Sequence, residues 1–198
     1  MRIGIVGLGY VGLTLGIAAA DCGLEVFGTE INPAVKEALK NNRAHFHETG
    51  LNELIALHNN KNFFCVEKFP QDKIFDAFII TVGTPLRKNS KTPNFDAIES
   101  AVRSIANVYD GSQVVILRST VSVGTTRKII LPLLAELSGK SFDEVFVGMC
   151  PERTVEGKAL EELRSLPQIV SGNNSAAIEK CTQLFKKITP SILVARWC

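Results

Sequence analysis

Ile3-Gly4-Ile5-Val6-Gly7-Leu8-Gly9-Tyr10-Val11-Gly12 stands almost at the head of the chain, and the reading of the fold turns on it. A short apolar run passes straight into glycines at positions 7, 9 and 12. An amphipathic segment, 13–20, follows and is closed by Gly23; a second apolar run, 24–28, then delivers an acid at Glu30. Strand, glycine turn, helix, strand, acid is the order a dinucleotide-binding βαβ unit requires. The glycine string alone is a weak signal, because glycines mark turns of many kinds. Here the acid falls 18 residues beyond Gly12, close to the expected offset.

Each position has a physical task in that reading. Gly7 permits the tight turn out of the strand, Gly9 lacks the Cβ that would block a pyrophosphate, and Gly12 lets the helix sit against the strand. A helix starting near Tyr10 points its first N–H groups and positive dipole end at the phosphates. Glu30 is placed to accept hydrogen bonds from the adenosine ribose hydroxyls. A 2′-phosphate would meet that carboxylate at short range, so NAD is expected rather than NADP.

Working outward, 198 residues suit one α/β domain, taken as 1–198, and a chain of this size buries roughly 70% of its unfolded surface. A content of 45% apolar and 21% charged residues is that of an ordinary globule. The net charge is only +2 with acids and bases interspersed, which argues against a nucleic-acid or membrane surface. Met1-Arg2 runs directly into a strand that the fold requires, so no signal peptide is expected, and every apolar run falls far short of the ~20 residues a membrane helix needs. Cys22, Cys65, Cys150, Cys181 and Cys198 are odd in number and form no C-x-x-C pair, so a reduced, cytoplasmic chain is expected. His45 and His47 read as loop residues and His58 as a helix-surface residue, so no metal site is expected.

The remaining pattern alternates helix and strand. Asn32-Pro33 caps a helix over 34–40; a polar loop containing His45-Phe46-His47-Glu48 leads to Gly50 and a helical face of Leu51, Leu54, Ile55 and Leu57. Strands are expected at 63–67, 76–82, 113–117, 144–149, 168–171 and 191–195, and helices at 95–108, 124–137, 159–163 and 175–188. Continuous apolar runs such as Ala77-Phe78-Ile79-Ile80 suit a parallel sheet covered on both faces, giving a doubly wound, mostly parallel α/β fold of Rossmann type. In such sheets ligands lie beyond the carboxyl ends of the strands. That places Thr84, in Thr81-Val82-Gly83-Thr84-Pro85, toward the cofactor, with a capped turn as the competing explanation. The polar stretch 86–93 reads as a flap or as solvated charge. Thr120 and Glu152, at the ends of neighbouring strands, suit an oxyanion donor and a proton acceptor. A capping hydroxyl and a surface acid explain them equally well from spacing alone, as does a solvated lysine for Lys36.

Four motifs together carry a resemblance. Gly7-Leu8-Gly9-Tyr10-Val11-Gly12-Leu13, Thr81-Val82-Gly83-Thr84-Pro85, Arg118-Ser119-Thr120-Val121 with Gly124-Thr125-Thr126, and Pro151-Glu152-Arg153 with Glu156-Gly157-Lys158-Ala159 resemble the NAD-binding half of the UDP-glucose/GDP-mannose dehydrogenases. Glu48-Thr49-Gly50-Leu51 resembles that family's loop after the second helix. Those enzymes oxidise the C6 hydroxyl of a nucleotide sugar to a carboxylate in two NAD-dependent steps, through a cysteine-bound thioester. The resemblance implies NAD contacts at Gly7, Gly9, Tyr10, Val11, Gly12, Glu30, Lys36, Gly83, Thr84 and Thr120. It implies that Thr120 also orders the hydrolytic water, and that Glu152 and Glu156 serve substrate positioning and proton transfer. Arg153 and Thr154 would touch the sugar nucleotide. Arg after Pro-Glu, where the glucose and GDP-mannose branches usually carry Phe, resembles the branch acting on UDP-N-acetylhexosamines such as UDP-N-acetylmannosamine.

The departure is as informative as the match. The family's nucleophilic cysteine sits in a Gly-Gly-x-Cys-x-Pro context and its catalytic lysine on a central helix through which the homo-oligomers associate; neither motif occurs here. Without a thiolate there is no thioester. The expectation is therefore the first part of a longer enzyme, which binds NAD but does not complete catalysis alone. A non-catalytic NAD-binding module, a UDP-glucose 6-dehydrogenase fragment and a hydroxyacid-type dehydrogenase are the alternatives.

Overall fold

The computed structural model describes residues 1–87 and 93–197. In chain order the strands are β1 (Arg2–Val6), β2 (Glu25–Thr29), β3 (Phe63–Val66), β4 (Ala77–Ile80), β5 (Val114–Leu117), β6 (Phe146–Met149), β7 (Gln168–Gly172) and β8 (Ile192–Val194). The helices are α1 (Tyr10–Asp21), α2 (Pro33–Lys40), α3 (Leu51–His58), α4 (Asp96–Ala106), α5 (Leu131–Ser138), α6 (Ala159–Ser165) and α7 (Ser175–Phe185). The strands form one sheet in the order β3-β2-β1-β4-β5-β6-β7-β8. Every neighbouring pair is parallel except β6 and β7. From β1 the chain winds first toward β2 and β3, then toward β4 and β5. That reversal opens a crevice at the carboxyl ends of β1 and β4.

The continuous apolar runs follow from burial on both faces. Ile3, Ile5, Ala77, Ile79, Val114 and Ile116 point to one side, into a core with α1, α2, α3, α6 and α7. Their neighbours Phe78, Ile80, Val115 and Leu117 point to the other, into a core with α4 and α5. Alternation of side chains along a strand turns two buried faces into an unbroken apolar string.

The segment expected to be amphipathic is not. Gly12 through Ala20 are all buried. The sheet covers one side of α1, and α3 and α6 cover the other. The one polar residue in that run, Thr14, turns its hydroxyl back onto the Tyr10 carbonyl at 2.8 Å. The expected helix over 124–137 divides: Thr126–Ile130 is a π-helical turn that passes into α5. Pro132, which has no N–H to give to the preceding turn, sits at the join. The flap expected over 86–93 lies largely outside the described residues; its two ends meet at a Leu86–Pro93 bridge. Among the described residues no helix is long and apolar enough to cross a membrane.

Gly12 is where this packing tolerates no change. A Cβ there would stand 1.9 Å from the Gly7 carbonyl oxygen and 2.6 Å from Thr81 Oγ1. Gly12→Ala is expected to destabilise the chain by about 1–3 kcal/mol or more, since backbone must move to relieve the clash. Urea denaturation measures the loss, and a variant as stable as the parent would mean that α1 does not depend on this close approach.

Candidate functional site

The glycine loop is fixed from three directions. Gly7 takes φ of +93° and donates its N–H to the Thr29 carbonyl at 2.9 Å, joining the ends of β1 and β2. Thr81, at the end of β4, donates its hydroxyl to the Gly7 carbonyl at 2.7 Å. Gly12 is pinned as described. Gly9 differs, because no protein atom lies within 4 Å of the place its Cβ would take. The protein therefore gives no steric reason for glycine at position 9, whereas a diphosphate lying on that backbone does. Tyr10 and Val11 form the first turn of α1, where backbone N–H groups have no partner within the helix.

Glu30 stands on this loop. One carboxylate oxygen accepts from the Leu8 amide at 2.8 Å, the other from the Ile31 and Asn32 amides at 2.7 and 2.8 Å. Each oxygen has two lone pairs, so the one that holds Leu8 keeps capacity for a sugar hydroxyl. Lys36 is spent elsewhere: its Nζ lies 2.8 Å from Glu67 Oε1. That hydrogen bond to Glu67 raises the Lys36 pKa, with a lesser contribution from Glu30. On the opposite rim the Thr84 hydroxyl donates to the Thr120 carbonyl at 2.8 Å, which joins the ends of β4 and β5. Gly83, between them, has open space where a Cβ would be.

The segment after β6 crosses the same rim. Glu152 donates its amide to the Arg118 carbonyl at 3.4 Å, and Arg118 Nε returns a bond to Glu152 Oε2 at 2.8 Å. The Arg118 side chain is fully buried; its other contacts are Gln168 Oε1 at 2.8 Å, the Cys150 carbonyl at 3.3 Å and the face of Phe185. The remaining Glu152 oxygen accepts from the Arg153 and Thr154 amides, each at 2.7 Å. Burial works against the Glu152 carboxylate, but the Arg118 charge and these amides outweigh it and lower its pKa. Glu152 is thus a fixed anion at neutral pH, with every oxygen engaged. The Arg153 guanidinium bonds the Pro167 carbonyl, and Glu156 is exposed.

A second buried carboxylate, Glu48, ties this segment to the glycine loop. It accepts from the Tyr10 hydroxyl and the Gly157 amide, both at 2.8 Å. Sequence reasoning did not single out Glu48 or the Arg118–Gln168 pair as site residues. Their partners lie 32 to 112 positions away along the chain, and no local spacing reports such contacts. The signal that could have found Arg118 was a charged residue directly following an all-apolar strand.

None of the four described cysteines is set up as a nucleophile. Cys150 and Cys181 are buried, Cys22 and Cys65 half-buried, and burial raises the thiol pKa of Cys22, Cys65 and Cys150. Among the described residues no cluster of His, Cys, Asp or Glu is placed to hold a metal.

The family model of the UDP-glucose/GDP-mannose dehydrogenase NAD-binding domain matches residues 1–189. The UDP-N-acetyl-D-mannosamine dehydrogenase of Campylobacter jejuni is 32% identical over 192 residues, covering 93% of this chain and 47% of that protein. Among solved structures, UDP-D-ManNAc dehydrogenase from Pyrococcus horikoshii superposes with a TM-score of 0.88 at 30% identity, over 99% of this chain and 47% of that one. A ternary complex of GDP-mannose dehydrogenase from Pseudomonas aeruginosa gives 0.88 at 25% identity, over 100% and 47%. The chain spans about half the length of the curated relatives it matches.

The Arg118–Glu152 pair makes a stability prediction. Arg118→Met leaves a largely buried carboxylate without its cation, at an expected cost of about 3–5 kcal/mol at pH 7. Because the folded pKa of Glu152 is depressed, its contribution is complete above the unfolded carboxylate pKa and is lost as pH falls through the folded value. The gap between parent and variant should therefore narrow on acidification, as followed by denaturant titration at pH 7 and pH 4. A pH-independent gap would show that the guanidinium acts through packing alone.

Proposed function

The chain belongs to the UDP-glucose/GDP-mannose dehydrogenase family, and we propose that it is the NAD-binding part of a nucleotide-sugar 6-dehydrogenase acting on a UDP-N-acetylhexosamine such as UDP-N-acetylmannosamine. The overall change is oxidation of a C6 hydroxymethyl to a carboxylate: two hydrides leave for two NAD molecules, water supplies the second oxygen, and three protons are released. The observation that carries the coenzyme half is Gly9, whose missing Cβ faces open space above the first turn of α1. Arg153 and the mannosamine-type relatives support the choice of sugar.

When bound, NAD accepts the hydride from C6. The chain's own residues hold and orient. Gly7, Gly9 and Gly12 shape the diphosphate cradle, and Tyr10 and Val11 present it with the amides of the first turn. Glu30 receives the ribose, while Lys36, held by Glu67, flanks the adenosine side. Gly83, Thr84 and Thr120 form the opposite rim, where the Thr84 hydroxyl holds the Thr120 carbonyl; on this reading the Thr120 hydroxyl is assigned to the water at the reacting carbon. Glu152 and Glu156 divide the acid work. The first, locked on Arg118, stays charged and orients substrate; the second, exposed, is the proton acceptor. Arg153 and Thr154 meet the sugar nucleotide. The family's thioester needs a reactive thiolate, a role that none of the four described cysteines fits.

Titration calorimetry tests the coenzyme site. The chain should bind NAD and discriminate against NADP. Glu30→Ala removes hydrogen bonds to a charged acceptor, each worth ~1.5–3 kcal/mol, and should weaken NAD by roughly 10-fold or more. Unchanged NAD affinity would remove Glu30 from the site. NAD binding by a complete gene product that leaves UDP-N-acetylmannosamine and UDP-glucose unoxidised would favour a non-catalytic module instead.

A further inference from the structure

Glu48 is only 5% exposed, and among the described residues no Lys, Arg or His forms an ion pair with it. A buried carboxylate without a cation needs hydrogen bonds from elsewhere, and those it has come from two parts of the site. Tyr10, at the first turn of α1, donates its hydroxyl at 2.8 Å. The segment that carries Glu156 supplies the Gly157 amide at 2.8 Å and, at 3.4 Å, the Leu160 amide in the first turn of α6. The triangle closes where Gly157 also donates to the Tyr10 oxygen at 3.2 Å.

Both ends of this contact are fixed. Glu48 accepts from the Leu51 amide through its own carbonyl, at the left-handed turn of Gly50. Its neighbour Phe46 packs its ring 4.8 Å from that of Tyr10. Burial and the Glu48 carboxylate both push the Tyr10 pKa up, so the hydroxyl keeps its proton and remains a donor. The receiving segment has contacts of its own, the Val155 amide on Glu162 Oε2 at 2.7 Å and the Lys158 amide on the Val155 carbonyl at 3.1 Å, but Lys158, at the head of α6, makes no side-chain cap and Gly157 sits at φ of +87°.

We propose that Glu48 is a positioning residue that couples the dinucleotide site to the Val155–Leu160 segment, so that coenzyme bound against Tyr10 fixes Glu156 for the incoming sugar nucleotide. This rests on the coenzyme site proposed above. NAD packed on the first turn of α1 restricts the Tyr10 ring; the hydroxyl then holds Glu48, and Glu48 holds the two amides. Linkage makes the effect reciprocal: sugar nucleotide ordered on the segment tightens NAD. The coenzyme is then in place before the segment closes on substrate.

Hydrogen exchange followed by mass spectrometry on this chain, with and without saturating NAD, tests the coupling. In the parent, NAD should slow exchange in a peptide spanning 7–13 and also in one spanning 153–160, the latter by about 5-fold or more. In Glu48→Gln, at NAD concentrations that saturate the variant, 7–13 should still be protected while 153–160 exchanges faster and no longer responds. Glu48→Asp, which keeps the carboxylate, should restore part of the response. A purely structural Glu48 would raise exchange in the segment but leave its response to NAD unchanged. If Glu48→Gln does not fold by circular dichroism, Tyr10→Phe, which removes only the hydroxyl, carries the same comparison. Protection of 7–13 with no change in 153–160 of the parent, or an equal response in Glu48→Gln, overturns the coupling and leaves the coenzyme site standing. Protection of neither peptide by NAD overturns the coenzyme site and the coupling with it.

Discussion

Helix α1 can lie on β1 only because position 12 has no side chain. The contact is between a glycine Cα and the carbonyl of Gly7, with the Thr81 hydroxyl closing the third side. From that approach the rest follows in order. A helix so close to the sheet is buried along its inner face, and because α3 and α6 cover its outer face it must be apolar all round. Its N-terminus then opens at the reversal point of the sheet, where Gly9 leaves room and Glu30 holds the loop. The site is a consequence of how tightly one helix is seated.

Two buried carboxylates stand at that site, and they are stabilised in different ways. Glu152 is compensated by a full charge, Arg118, itself held by Gln168 and the ring of Phe185. Such a pair is rigid, and breaking it is costly because either partner is stranded without the other. Glu48 has only dipoles: one hydroxyl and two amides. Dipoles attached to separate segments can be gained and lost one at a time. The first arrangement fixes an anion at the rim, and the second joins separate segments without a countercharge.

How much of this was legible in the sequence depends on the range of the interaction. The strands were readable because two buried faces print as unbroken apolar strings, as at Ala77–Ile80 and Val114–Leu117. The glycine loop and Glu30 were readable because their geometry is local, one turn and one neighbouring strand. The reading of 13–20 as amphipathic failed because nothing local reveals a helix packed on both sides; its cover, α6, arrives some 140 residues later in the chain. The division of the 124–137 helix was missed although Pro132 marked it. The anchoring of Glu30 to Leu8, of Lys36 to Glu67 and of Glu152 to Arg118 required the fold. So did the contacts of Glu48, which the motif Glu48-Thr49-Gly50-Leu51 flagged only as a likeness.

The single antiparallel pairing has a consequence of its own. Because β7 runs against β6, the chain between them leaves and re-enters the sheet at one end, with no crossover to complete. Residues 150–167 therefore owe their place to no βαβ crossover: what holds them is Cys150, Leu160 and Leu163 in the core and the contacts of Glu152 with Arg118 and of Gly157 with Glu48. The first half of the sheet is bound by its close helix to one solution, while the far half answers to the side chains that this strip sends back across it.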